Sequence, residues 1–227
     1  FWWGALPAVL MAFVVELFFS LPPNLIGPQA LEAVRLGLVA PVLQEALKSI
    51  IVLLIAWRYH REFDNVLDGI IYGAMVGFGF AMTGNLISYV GSFLLWGFDG
   101  LSSLTILKGI VYGLDSALYA AIFGAGLGLG RLAQKRWQRW VFPMGGFALA
   151  VGSHGFHSIL SYNILGLNTI TLLSTIAGII LIGVVALWSL KRQEQCLRTE
   201  LKGLVPDDVY RAVVAPRERA RAQWQVL

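Results

Sequence analysis

Residues 36–57 read LGLVAPVLQEALKSIIVLLIAW, and the only ionisable side chains in this stretch are Glu45 and Lys48. A helix rises 1.5 Å per residue, so about 20 apolar residues cross the roughly 30 Å hydrocarbon core of a bilayer. The stretch is the right length and composition for a membrane span. An ionisable side chain at bilayer depth costs several kcal/mol unless it is paired, hydrated or bound to metal. Glu45 is therefore a candidate functional residue, and Lys48, three positions on, is its nearest candidate partner.

The rest of the chain is of the same kind. It is 57% hydrophobic and 13% charged, with a mean hydropathy of +0.71, whereas a soluble domain is about one quarter charged. The ten-residue alternation of a transmembrane barrel is absent, which leaves an all-α, polytopic transmembrane helical bundle. Six spans are expected: about Phe1–Leu21, Leu36–Trp57, Val66–Trp96, Leu104–Leu129, Trp140–Tyr162 and Leu167–Leu190. Residues 1–190 form the bundle and residues 191–227 a polar tail. The chain opens inside an apolar run at Phe1 without a methionine, so an upstream part is expected. The single cysteine, Cys196, excludes an internal disulfide and a cysteine metal site.

The net charge of +4 is concentrated in particular connections. Arg58, His60 and Arg61 lie between the second and third spans, and Arg131, Lys135, Arg136 and Arg139 between the fourth and fifth. Lys191, Arg192 and the tail follow the sixth. The connections between spans three and four and between five and six carry no Lys or Arg. The positive-inside rule places the basic set, and with it the C-terminal tail, in the cytoplasm. This distribution points to membrane topology and not to nucleic-acid binding. Trp96, Trp137, Trp140 and Trp188 fit interfacial anchors. In the tail, Pro206-Asp207-Asp208 reads as a helix start, and Arg217, Arg219 and Arg221 cluster near the end, facing solvent or lipid headgroups.

Small residues recur every four positions at Gly69, Gly73 and Gly77, and again at Gly109 and Gly113, a pattern that lets helices approach closely. Gly124-x-Gly126-x-Gly128-x-Gly130 is not a phosphate loop, since no strand precedes it and no lysine follows in the required position.

The polar residues at membrane depth are Glu16, Gln44, Glu45, Lys48, Asp68, Asn85, Lys108, Asp115, His154 and His157. Asp68 and Lys108 lie nearer span ends, within reach of water. His154 and His157 are three apart and can point to one interior. Glu45 is about 20 Å of helix from Arg58, and His154 is at nearly the same level counted from Arg139. A Glu45–Lys48 ion pair is the structural reading of the first motif. A zinc site is the chemical one: Glu45, His154 and His157 as three protein ligands, with a second carboxylate such as Asp115 as base and Lys48 holding a ligand carboxylate ionised.

Taken together, Ala40-Pro41-Val42-Leu43-Gln44-Glu45-Ala46-Leu47-Lys48, then Phe63-Asp64-Asn65-Val66-Leu67-Asp68-Gly69-Ile70-Ile71-Tyr72-Gly73-Ala74, Phe80-Ala81-Met82-Thr83-Gly84-Asn85-Leu86, the glycine-rich fourth span and Ser153-His154-Gly155-Phe156-His157 resemble the PrsW family over about residues 36–162. This family belongs to the intramembrane metalloproteases related to CAAX prenyl proteases. The resemblance implies cleavage of membrane-anchored substrates such as anti-sigma factors, through glutamate and histidine ligands, in a bacterial cytoplasmic membrane. The chain departs from the family pattern at three motifs. Gln44 stands where the family has the first of two adjacent glutamates, Gly84 where it has a glutamate before asparagine, and Ser116 about where it has a histidine. Ser158 lies where an acid or amide often follows the last motif. Of the implied ligand and base set, Glu45 and His154 remain, with Lys48 in support.

Losing several ligands or bases should abolish metal-dependent hydrolysis. The expected function is accordingly that of a non-catalytic PrsW-like protein, without a cofactor, acting as a scaffold or subunit of a membrane complex or binding transmembrane segments. The alternative is an active zinc endopeptidase with an altered ligand set. A third reading is a small-molecule or ion pathway lined by Glu16, Glu45, Lys48, Asp115 and the histidines. The expected partners are the lipid bilayer and other transmembrane proteins or a membrane-anchored substrate.

Overall fold

The computed structural model describes residues 7, 9–12, 27–163, 169–202, 204–205 and 210. Within them the fold is an all-α helical bundle. Helix α1 (Pro28–Val34) runs through a π-turn (Arg35–Val39) into α2 (Ala40–Arg58). Then come α3 (Val66–Trp96), a 3-10 turn (Gly97–Leu101), α4 (Ser103–Leu132), α5 (Gln138–Asn163) and α6 (Thr169–Glu200). By packing, the chain divides into a unit of residues 1–183 and a unit of residues 184–227, with the division inside α6. Glu16, Pro206, Asp207, Asp208 and the three tail arginines lie outside the described residues, as does most of the expected first span.

Local sequence accounts for the helix ends. Pro41 sits in the first turn of α2, where a missing N–H is tolerated. Asn65 caps α3: its side chain accepts from the Asp68 backbone N–H at 3.0 Å, and the Asp68 carboxylate accepts from the Asn65 N–H at 3.3 Å. Gly97, with φ of 61°, ends α3 in a conformation other residues rarely adopt. The Ser102 hydroxyl accepts from the Thr105 N–H at the start of α4. Asp68, expected at a span end, thus has a structural duty there.

Four of these helical stretches are long and apolar enough to cross a membrane: Ala30–Arg58, Val66–Leu101, Gly109–Leu132 and Thr169–Glu200. The expected span at Trp140–Tyr162 does form a continuous helix, α5, of 26 residues. It falls short in apolar character because Gly145, Gly146, Gly152, Ser153, His154, Gly155, His157 and Ser158 occupy much of it.

Helix α4 is the axis of the bundle, packing along α3 on one side and α5 on the other. The α3–α4 seam explains the glycine spacing. A Cβ added at Gly69, Gly73 or Gly77 would lie 2.0 Å from the Gly124 carbonyl oxygen, 2.2 Å from that of Ala120 and 2.3 Å from that of Ser116. The two antiparallel backbones touch at every turn, which only small residues permit. Gly109 and Gly113 do not extend this stripe. Gly109 instead meets the Tyr89 side chain, and Gly113 has only distant neighbours. The later glycine run serves both flanks of α4: Gly124 and Gly128 abut α3, while Gly126 and Gly130 abut Phe142, Gly146 and Pro143 of α5. The core beneath includes Leu47, Ile51, Val52, Val76, Phe80, Leu118, Phe123 and Ala150.

Candidate functional site

The glycine seam fixes the depth of α4 against α3, and the π-turn fixes α5 against the start of α2. A Cβ at Gly155 would lie 2.1 Å from the Gly37 carbonyl oxygen, so the last motif is held hard against the turn that precedes Glu45. These constraints bring polar side chains of α2, α4 and α5 together at one level. Glu45, Lys48, Asp115, Ser116 and His154 are all buried.

Glu45 is the hub. Its Oε1 accepts from Lys48 Nζ at 2.6 Å and stands 2.8 Å from His154 Nδ1. An ionised carboxylate only accepts, so Nδ1 is the donor in this contact. Lys48 also donates to Ser116 Oγ at 3.3 Å and lies over the Phe80 and Tyr119 rings, 5.2 and 5.9 Å from their centroids. The Tyr119 ring stacks on His154 at 5.1 Å. Glu45 Oε2 is buried and accepts no hydrogen bond among the described residues.

His157 is not in this cluster. Its Nε2 lies 3.2 Å from Asp115 Oδ2, without hydrogen-bond geometry. The other oxygen of Asp115 accepts from the Thr175 hydroxyl of α6 at 2.7 Å. A cavity of about 40 Å³, with room for a few water molecules, is lined by Tyr112, Asp115, Ser116, Tyr119, His154, His157 and Ser158.

The remaining candidates fall around this centre. Gln44 is half-buried beside Glu45. A Cβ at Gly84 would meet the Tyr112 ring at 3.6 Å, an ordinary contact, so that position faces α4 a turn away from Ser116. Asn85 donates to the Gly109 carbonyl at 2.7 Å, clamping α3 to α4. The Lys108 side chain lies outside the described set.

Four contributors, in two pairs, escaped the sequence reading. Tyr119 and Tyr112 share the helix face of Asp115 and Ser116 at three- and four-residue spacing, a signal that could have been read. Thr175, with Thr171 one turn earlier, forms a buried polar pair near the start of α6.

A zinc ion needs three or four converging ligands, each with a free lone pair aimed at one point. The expected trio does not converge: Glu45 and His154 form one pair, His157 and Asp115 another. Lys48 already occupies Glu45 Oε1. Among the described residues, no group of three or more His, Cys, Asp or Glu side chains is arranged to hold a metal. As placed, the residues do not fit the metal that zinc hydrolysis requires.

Compared with known protein families, residues 1–190 match the PrsW family intramembrane metalloproteases. The match covers most of the chain, which belongs to this family and is an integral membrane protein. No curated protein and no solved structure matches it.

Proposed function

We propose that this member of the PrsW family works without hydrolysis, as a bundle that binds other transmembrane segments in the bacterial cytoplasmic membrane, its tail in the cytoplasm. One observation carries the reading: Lys48, an internal cation, stands on Glu45 Oε1 at 2.6 Å, in the role a metal would otherwise fill. Gln44, Gly84 and Ser116 add an amide, no side chain and a hydroxyl where carboxylate or imidazole would strengthen a metal site. In this reading Glu45, Lys48 and His154 are vestigial as catalysts and serve as a structural hub.

The outer face of α5 supports the binding part of the proposal. A shallow groove of about 450 Å³ there is lined by Gly145, Ala148, Leu149, Gly152, Ser153 and Phe156. A Cβ added at Gly145 or Gly152 would meet nothing within 4 Å. Open small-residue surface of this kind suits a second transmembrane helix.

The alternative, a zinc endopeptidase acting on membrane-anchored substrates such as anti-sigma factors, has its own observation. Glu45 Oε2 and Asp115 Oδ2 are both buried without a hydrogen bond, and the cavity adjoins Asp115 and both histidines. A metal would require Lys48 to leave Oε1 and His157 to swing from Asp115.

Elemental analysis of the purified full chain separates the two. The proposal expects no stoichiometric zinc, identical metal content in His154→Ala, and co-purification of other membrane proteins under mild detergent. One zinc per chain that disappears in His154→Ala would establish the alternative.

A further inference from the structure

The end of the bundle where α2 and α4 finish and α3 and α5 begin carries a second feature, independent of the buried cluster. Two loops meet there, residues 59–65 and 133–137. Both are ordered by their own hydrogen bonds. In the first, the N–H groups of Glu62 and Phe63 both donate to the Tyr59 carbonyl at 2.9 Å. Phe63 is fully buried and stacks on Tyr72, which pins the loop to α3. In the second, the Gln138 N–H donates to the Lys135 carbonyl at 3.1 Å. The Arg131 side chain, in the last turn of α4 just before the second loop, ties the first loop to that helix end by donating to the His60 carbonyl, and Arg139 Nε donates to the Ala133 carbonyl at 3.2 Å.

Arg131 and Arg139 therefore brace the backbone with their guanidinium groups, and no carboxylate among the described residues pairs with either one. Arg58, Arg61, Lys135 and Arg136 are exposed around them and make no ion pair among the described residues. The acids nearby form no ion pair with them among the described residues, and Glu62, exposed in the first loop, lowers the net charge of this end without closing off any one cation. Asp68 is absorbed by the Asn65 cap, and Asp64 Oδ1 accepts from Asn65 Nδ2 at 2.7 Å. Trp57, Trp137 and Trp140, with 75%, 58% and 73% of their surface exposed, ring the same end. Tryptophan marks the headgroup level of a bilayer. Exposed cations without an ion pair at that level attract anionic lipid through the negative surface potential, and basic clusters at helix ends bind anionic headgroups.

We propose that the collar formed by Arg58, Arg61, Lys135 and Arg136 is a binding site for the phosphate headgroups of anionic phospholipids. The tryptophans set its depth, and the Arg131 brace holds the first loop to the end of α4. The ligand is membrane lipid and not soluble phosphate, because the ring of exposed indoles places the cations against the bilayer surface.

The test reconstitutes the full chain in vesicles of phosphatidylglycerol in excess phosphatidylcholine, extracts it gently, and weighs the retained lipids by native mass spectrometry. The parent protein should retain phosphatidylglycerol in clear excess over its share of the vesicle. The variant R58Q/R61Q/K135Q/R136Q should lose that enrichment by about fivefold or more, the factor that even one cation near an anionic surface supplies. The milder pair R61Q/R136Q should show a partial loss, and it carries the test if the quadruple variant misfolds. Millimolar inorganic phosphate should leave the enrichment unchanged. Equal enrichment in the parent and the correctly folded R61Q/R136Q variant would overturn the proposal, and displacement by inorganic phosphate would overturn its assignment to lipid.

Discussion

The bundle holds two acid–imidazole pairs, Glu45 with His154 and Asp115 with the half-buried His157, and they are not alike. Glu45 has a cation at 2.6 Å and an imidazole at 2.8 Å on a single oxygen. Asp115 has no lysine or arginine among its described contacts, only the Thr175 hydroxyl at 2.7 Å and an imidazole at 3.2 Å that does not point correctly. One pair is closed by charge. The other leans on a hydroxyl from α6, of whose apolar span 11% is buried among the described residues, against 67% in α4, and the cavity reaches both pairs, through His154 as well as through Asp115 and His157. The first pair has the character of a structural hub, and the second that of a looser contact.

The sharpest way to break this contrast is to remove the cation. Truncating one partner of a buried ion pair leaves the other charged and unsatisfied, which costs about 3–5 kcal/mol. Lys48→Met should therefore destabilise the protein by that amount in detergent unfolding followed by circular dichroism. Glu45→Gln combined with Lys48→Met should recover most of the loss, because an apolar or neutral pair of similar volume is tolerated. An unchanged unfolding midpoint in Lys48→Met would mean that Glu45 is not held by charge at all.

The second prediction tests whether the seam sets the geometry of both pairs. Ser116, which Lys48 touches, and its neighbour Asp115 are positioned by Gly77, whose added Cβ would stand 2.3 Å from the Ser116 carbonyl oxygen and 2.6 Å from the Ala117 Cα. Backbone cannot yield there as a flexible side chain would. Gly77→Val should lower stability by about 1–3 kcal/mol, the range for overpacking. Gly91→Ala, where an added Cβ meets nothing within 4 Å, should be neutral or slightly stabilising, since alanine is the better helix former. Similar unfolding curves for the two variants would show that the helices can slide.

The sequence carried most of this architecture and half of the site. Length and composition gave the helices, because hydrophobic spans and glycine spacing are local patterns. Counting residues from Arg58 and from Arg139 put Glu45 and His154 at one depth, and depth is what a rigid rise per residue transmits. Azimuth was not legible. The three-residue step from His154 to His157 was compatible with a shared target, yet a rotation of about 100° per residue separates such side chains enough for different neighbours to claim them. Asp115 claims His157. The partner stripe of Gly69, Gly73 and Gly77 was also hidden, because Gly124, Ala120 and Ser116 mix three residue types, and register between helices is a non-local property.

Asp115 offers the third prediction. Asp115→Asn removes a buried acid that has no lysine or arginine partner among the described residues and keeps an acceptor for Thr175. Stability should be unchanged or raised by up to about 1 kcal/mol, the opposite of Lys48→Met, since a buried polar group that stays hydrogen-bonded is tolerated better than a buried charge. A loss of several kcal/mol would instead assign Asp115 an ionised structural role equal to that of Glu45.

The smallest effect belongs to Thr175. Its hydroxyl lies 2.7 Å from Asp115 Oδ1 and 3.0 Å from the carbonyl of Thr171 on its own helix. One proton serves both, so the hydroxyl has an alternative partner and the net value of the interhelical bond is reduced. Hydrogen bonds between membrane helices average about 0.6 kcal/mol, and Thr175→Val should cost roughly that much. The informative measurement is the same substitution made in Asp115→Asn. If Asp115 is ionised, valine strips a charged acceptor of its donor, and the loss should shrink when asparagine takes its place. An equal loss in both backgrounds would show that the carboxyl is already neutral, a bound proton having done for Asp115 what Lys48 does for Glu45.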